Sequence, residues 1–176
     1  PSLRFTKKTI LPIAKRSNLR WEKQPLFLPV ETCHGMSLHE DKNTLIVDIK
    51  NKTLVPRFSA IVLDNINIAP SPKLMQDRLE KAGIRALDNV VDVTNYFMID
   101  KGQPMHSFDY DKIKGAKMIV RESKKGEKIT TLDGVERTLP DSVIVIEDGE
   151  GKLIDLCGIM GGQNSEIDAH TKRVLL

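Results

Sequence analysis

The sequence predicts an α+β fold. Three observations carry this: β-branched, partly alternating runs before residue 70, two helix-start signals between residues 71 and 89, and a β-rich stretch with glycine turns after Asp109. The chain has 176 residues, within the usual size of one domain and enough to bury a sizeable core.

Residues 1–24 differ from the rest. Arg4, Lys7, Lys8, Lys15, Arg16, Arg20 and Lys23 face a single acid, Glu22. Such a basic arm could neutralise RNA phosphates, or it could be a solvated linker or a helix whose partner lies elsewhere. The lysines and arginines also interrupt any signal-peptide core. Pro25 to Pro29 is an extended entry. Cys33, His34 and His39 lack a fourth ligand and have no zinc-type spacing, so no metal is expected there.

Thr44–Ile49 reads as a strand, and Val55-Pro56-Arg57 as a break. Phe58–Ile68 reads as a second strand, closed by Ala69-Pro70. Ser71-Pro72 opens a helix, with Ser71 as the cap, a buried stripe of Leu74, Met75, Leu79 and Ala82, and a stop at Gly83. Asp88 or Asn89 can cap the next element. Val90, Val91, Val93, Phe97 and Met98 give it an inward face, and their β-branching admits strand as well as helix.

That element ends at Lys101-Gly102 and turns through Gln103-Pro104 to His106 and Phe108-Asp109. Gly102 frees the backbone and Pro104 stiffens it, so an imidazole is held near a rigid turn. Asn95 and Tyr96 are placed near this turn. Beyond it, Met118–Arg121 and Lys128–Leu132 read as strands, Asp133-Gly134 as a hairpin turn, and Ser142–Glu147 and Leu153–Ile159 as two further strands. Arg173–Leu176 begins another. Gly158–Gly162 admits two readings: glycines whose amides meet an oxyanion or phosphate, or a tight turn between strands. It fits neither a Walker loop nor GxGxxG.

Composition narrows the classes. Hydrophobic residues make up 40% and charged residues 29%, as in soluble globular chains. No apolar run is long enough to span a membrane. Two cysteines, Cys33 and Cys157, suggest no disulfide framework and fit a reducing cytoplasm. Aromatics at 5% argue against a base-stacking platform, and a net charge of +3 does not by itself announce nucleic-acid binding. No Ser-His-Asp, Cys-His or paired-carboxylate pattern is legible, and Cys157 reads as packing inside an apolar strand. His106 is the isolated candidate for acid–base work: beside a glycine-rich wall it could hold a water near an activated ester.

Three blocks, SPKLMQDRLEKAGIR (71–85), VVDVTNYFMIDKGQPMHSFD (90–109) and CGIMGGQNSE (157–166), resemble in order and spacing the beta subunit of bacterial-type phenylalanyl-tRNA synthetase, in its central tRNA-editing domain. The resemblance runs from about Pro25 to Leu176 and leaves residues 1–24 unassigned. It favours helix over strand for residues 90–98, and it implies a β-sandwich-like core with packed helices. It implies hydrolysis of tyrosyl-tRNA(Phe), a second sieve in which polar groups accept a phenol and are left unpaired by phenylalanine. The family's editing histidine falls on His106, and its pocket-wall glycines on Gly158 and Gly161.

The family's tyrosine-reading glutamate would fall immediately after Leu176, with a threonine and an alanine of the pocket further on. Residues 25–176 are therefore expected to be an editing domain cut at its C-terminal end. Glu166 does not occupy the motif position; Ser107 and Cys157 are small departures. The resemblance further implies tRNA(Phe) and an alpha subunit as partners, in a cytoplasmic heterotetramer whose ATP and Mg2+ act outside this domain. Two rivals stand beside it: a non-catalytic tRNA- or protein-binding module, and a free-standing trans-editing hydrolase.

Overall fold

The computed structural model describes residues 44–176. The basic arm, the Pro25 boundary, Cys33, His34 and His39 lie outside the described residues. Strands β1 (Ile46–Ile49) and β2 (Val62–Leu63) precede two helices, α1 (Lys73–Lys81) and α2 (Asn89–Lys101). Strands β3 (Phe108–Asp109), β4 (Lys117–Glu122), β5 (Lys128–Thr130), β6 (Glu136–Thr138), β7 (Ile144–Asp148), β8 (Leu153–Leu156), β9 (Met160–Gly161) and β10 (Val174–Leu175) follow.

The strands form a five-stranded sheet in the order β1-β4-β7-β8-β9, a three-stranded sheet β2-β10-β3, and the hairpin β5-β6. Among the described residues, only the β1–β4 pair is parallel. The two larger sheets face each other. One cluster joins Met118, Val120, Ile146 and Ile154 of the first sheet to Phe108 and Leu175 of the second. Ile129 and Leu139 of the hairpin region cover Val145 and Leu156 on the other side of the five-stranded sheet. Val90 of α2 packs on Val174 beneath the three-stranded sheet, and Val93 carries the contact on to Met75 and Leu79 of α1. The result is the α+β, sandwich-like core with packed helices.

Local chemistry explains where the elements depart from the pattern. Ser71 does not cap α1. Its hydroxyl donates to Asp92, and Pro72 occupies the N-cap without a side-chain bond. The α1 stripe is narrower than its spacing suggests: Met75 and Leu79 are buried, whereas Leu74 and Ala82 face outward. Asp88 caps α2, its carboxylate accepting from the Val90 and Val91 amides at 2.8 and 2.9 Å. Asn89 turns inward instead, donating to Asn67 O at 2.9 Å and accepting from Ala69 N at 3.3 Å.

The Phe58–Ile68 run keeps only two ladder residues. Ile61 and Leu176 exchange backbone hydrogen bonds at 2.8 and 2.9 Å, and Ile66 N donates to Lys172 O at 2.9 Å. Between them Asn65 adopts φ 56°, which breaks the ladder. Arg121 of β4 donates to Glu127 and Glu147, tying the approach to β5 onto β7.

Candidate functional site

Helix α2 ends at Gly102, whose φ of 68° and ψ of 19° place it in the left-handed region, with its amide on Met98 O at 2.8 Å. The exposed Gln103-Pro104 turn then delivers the chain to Phe108, which pairs with Leu175 in the three-stranded sheet. His106 lies just before that anchor. Its ring stands edge-on to Phe108, with centroids 4.6 Å apart and planes at 82°. Burial holds the imidazole below its ordinary pKa, so the neutral ring is favoured. Among the described residues, no hydrogen bond reaches either ring nitrogen.

The ring sits directly on the backbone of Gly161 in β9. A methyl group at position 161 would collide with Nε2 and Cε1 of His106 and would lie 3.3 Å from Cδ1 of Leu132. The loop leading into β3 and the edge strand β9 thus bring His106 and Gly161 together. The Gly161 carbonyl accepts from Leu132 N at 3.1 Å, which holds the Thr131–Val135 hairpin loop against this edge. Exposed Leu132 and Ile159 stand beside these glycines.

Gly158 plays a different part. It occupies the turn between β8 and β9 with φ 75°, and nothing lies within 4 Å of where its side chain would begin. Backbone conformation, and not close approach, requires glycine there. Ile159 N donates to Leu156 O and Gly162 N to Ile154 O, both at 2.8 Å, so these two amides are committed to the turn and not free for an oxyanion. Gly162 is the position where backbone meets backbone: a methyl there would come 2.8 Å from Ile154 O and 2.7 Å from Asn164 Oδ1. Gly158–Gly162 therefore combines the expected tight turn at Gly158 with close approaches at Gly161 and Gly162 by other parts of the same chain.

Other sequence candidates fall elsewhere. Asn95 and Tyr96 sit in the middle of α2, not at its turn, and the Tyr96 hydroxyl accepts from Arg78. Cys157 lies in the β8–β9 turn, not within a strand; burial and neighbouring Asp155 push its thiol up. Glu166 is exposed, and its carbonyl accepts from Lys112 Nζ at 2.6 Å. A polar cleft of about 580 Å³ opens between Lys128, Lys152 and Asn164, but it holds none of the predicted site residues. The described residues contain no group of three His, Cys, Asp or Glu side chains able to hold a metal ion, and no helix long and apolar enough to cross a membrane.

Asp155 lies next to Gly161 on the neighbouring strand and carries no motif. It opposes Gly161 in the β8–β9 ladder and is 6% exposed. Burial raises its carboxyl to about 7. The one signal available in sequence was an acid inside the apolar run Leu153–Leu156.

The B3/4 domain family model matches residues 54–176. The chain is 51% identical over 130 residues to the phenylalanine–tRNA ligase beta subunit of Carboxydothermus hydrogenoformans, covering 74% of this chain and 16% of that protein. It is 48% identical over 148 residues to the corresponding subunit of Staphylococcus aureus, covering 84% of this chain and 18% of that protein. It thus spans less than a fifth of the length of these relatives. A crystal structure of an N-terminal fragment of the phenylalanyl-tRNA synthetase beta subunit from Pyrococcus horikoshii shares the fold, with a TM-score of 0.55 and 17% identity over 80% of this chain and 45% of that one.

Proposed function

This chain belongs to the B3/4 domain family and aligns with a segment of phenylalanine–tRNA ligase beta subunits, and we propose that it is the editing domain of such a subunit, hydrolysing tyrosyl-tRNA(Phe). Residues 25–176 form the domain in this proposal, and residues 1–24 a separate basic segment. Its partners are tRNA(Phe) and an alpha subunit in a cytoplasmic enzyme, with ATP and Mg2+ serving aminoacylation outside this domain.

The observation that carries the reading is the seating of His106 on Gly161. An aminoacyl ester is already activated, so its hydrolysis needs a placed water more than a strong nucleophile. A neutral imidazole accepts a hydrogen bond from that water. The water oxygen bonds to the ester carbonyl carbon, the bond to the ribose oxygen breaks, and the water's proton ends on the released ribose hydroxyl. His106 is the catalytic residue, and Gly161, lacking a side chain, lets the imidazole seat on the β9 backbone beside the aminoacyl group. The Gly158 turn carries β9 to that position. No step is routed through a metal.

Deacylation of tyrosyl-tRNA(Phe), with phenylalanyl-tRNA(Phe) as control, tests this in the full-length protein. Clearance of tyrosine that slows when His106→Ala is introduced supports it. Failure to discriminate the two esters rejects it in favour of a non-catalytic tRNA- or protein-binding module.

A further inference from the structure

Asp155 and His106 emerge on one face of the β8–β9 ladder. Gly162 N donates to Ile154 O, which makes the adjoining Asp155–Gly161 pair the non-hydrogen-bonded kind, in which opposed side chains come closest. Opposed residues project to the same side, with β-carbons about 4.5–5.5 Å apart. At Gly161 that side is filled by the His106 ring. The Asp155 carboxyl therefore projects beside the imidazole. It is nine-tenths buried, and no described residue donates a hydrogen bond to it.

We propose that Asp155 is a substrate-binding residue of this site, accepting hydrogen bonds from the α-ammonium group of an aminoacyl ester while His106 holds the attacking water. This rests on the ester-hydrolysis reading above. The pair offers acceptors on both sides, a carboxylate and a neutral imidazole, and the guest that satisfies it is a donor with several N–H groups. A buried carboxylate is stable as an anion only when a counter-charge accompanies it. In the empty site burial favours the protonated acid, and an arriving ammonium restores the anion. One carbon separates the α-nitrogen from the ester carbonyl carbon, so a group that holds the first places the second within a few ångströms of His106. An ester whose nitrogen is acylated brings neither the charge nor the donors.

The test pairs binding with turnover in the full-length protein. Tyrosinamide and N-acetyltyrosinamide are titrated into the wild type, Asp155→Asn and His106→Ala, and tyrosyl-tRNA and N-acetyltyrosyl-tRNA are offered as esters. The wild type is expected to prefer the free amine, and Asp155→Asn to reduce that preference roughly tenfold to a hundredfold. His106→Ala is expected to slow hydrolysis while keeping the preference. A thermal midpoint for Asp155→Asn at or above the wild type establishes that the variant is folded. A free-amine preference that survives Asp155→Asn overturns the proposal and leaves editing untouched, as does a wild type that hydrolyses both esters equally. Tyrosinamide bound through Asp155 without hydrolysis of either ester overturns editing and keeps the amine site. A wild type that neither prefers tyrosinamide nor cleaves an ester overturns both.

Discussion

The imidazole of His106 occupies the space that a side chain at Gly161 would need. Gly161→Ala must therefore displace the ring, because the other side of the clash is fixed strand backbone. Overpacking of this kind costs about 1–3 kcal/mol of stability. Deacylation of tyrosyl-tRNA is expected to fall by a factor of at least roughly ten, since a catalytic group moved by about 1 Å loses that much or more. Gly158→Ala is the contrasting variant. It has open space and a φ of 75°, so it should cost about 1 kcal/mol of left-handed strain. Gly158→Asn should recover part of that loss. Chemical denaturation and deacylation assays on all three variants separate the two roles.

The half-buried His106 ring predicts a pH dependence. Its folded pKa lies below 6.5 through desolvation, so the unfolded chain takes up the proton first as pH falls. The stability associated with the neutral ring is present above pH 6.5 and is lost as pH falls from there through the folded value. An NMR titration of the His106 Cε1 proton should show a midpoint below 6.5, and deacylation should hold its plateau to a more acidic pH than an exposed histidine would allow. A midpoint at or above 6.5 would sink this.

Local grammar made much of this legible. Asp133-Gly134 does lie in the hairpin connection, Gly102 does end a helix, and the His106 and glycine blocks do meet although they are more than fifty residues apart in sequence. What was hidden depended on tertiary choice. Ser71 has the makings of a cap, yet its hydroxyl is taken by Asp92, twenty-one residues away. Leu74 fits a helical stripe, yet the buried apolar residues that α1 packs against α2 are Met75 and Leu79. Phe58–Ile68 has strand composition, and only the backbone at Asn65 reveals the break. Asp155 shows in sequence only as an acid inside an apolar run, because its partner across the ladder is a glycine and His106 comes from a loop far away in the chain.

Asp155 makes stability fall as pH rises. Its folded carboxyl is raised by burial from its ordinary 3.8 to about 7, so between those values the folded state holds a proton that the unfolded chain has released. Stability is full below about pH 4, declines towards pH 7 and is flat above it. A shift of this size corresponds to at most about 4 kcal/mol. Asp155→Asn should therefore flatten the profile and stabilise the empty protein at pH 8, the opposite of what a paired carboxylate would do. Urea midpoints for the two proteins at pH 5 and pH 8 check this. A wild-type midpoint that rises with pH across that interval in step with the variant's would contradict it.

Asp92 is the hinge of the helical layer on which the His106 loop is built. It is 1% exposed, accepts from the Leu87 amide at 2.8 Å, and also takes the Ser71 hydroxyl. Asp92→Ala would leave a buried hydroxyl and a partly buried amide unsatisfied and open a small void. The expected loss is about 2–4 kcal/mol, since each stranded group carries its full desolvation cost. Asp88→Ala removes only the cap of α2 and should cost about 1 kcal/mol. At about 2–4 °C per kcal/mol for a chain of this size, the two substitutions should separate clearly in a thermal melt. Ser71→Ala made in the Asp92→Ala background should cost little more, because its partner has already gone. If the two losses simply add, Ser71 and Asp92 do not act as a unit, and the clip between the α1 entry and α2 is not what holds this layer.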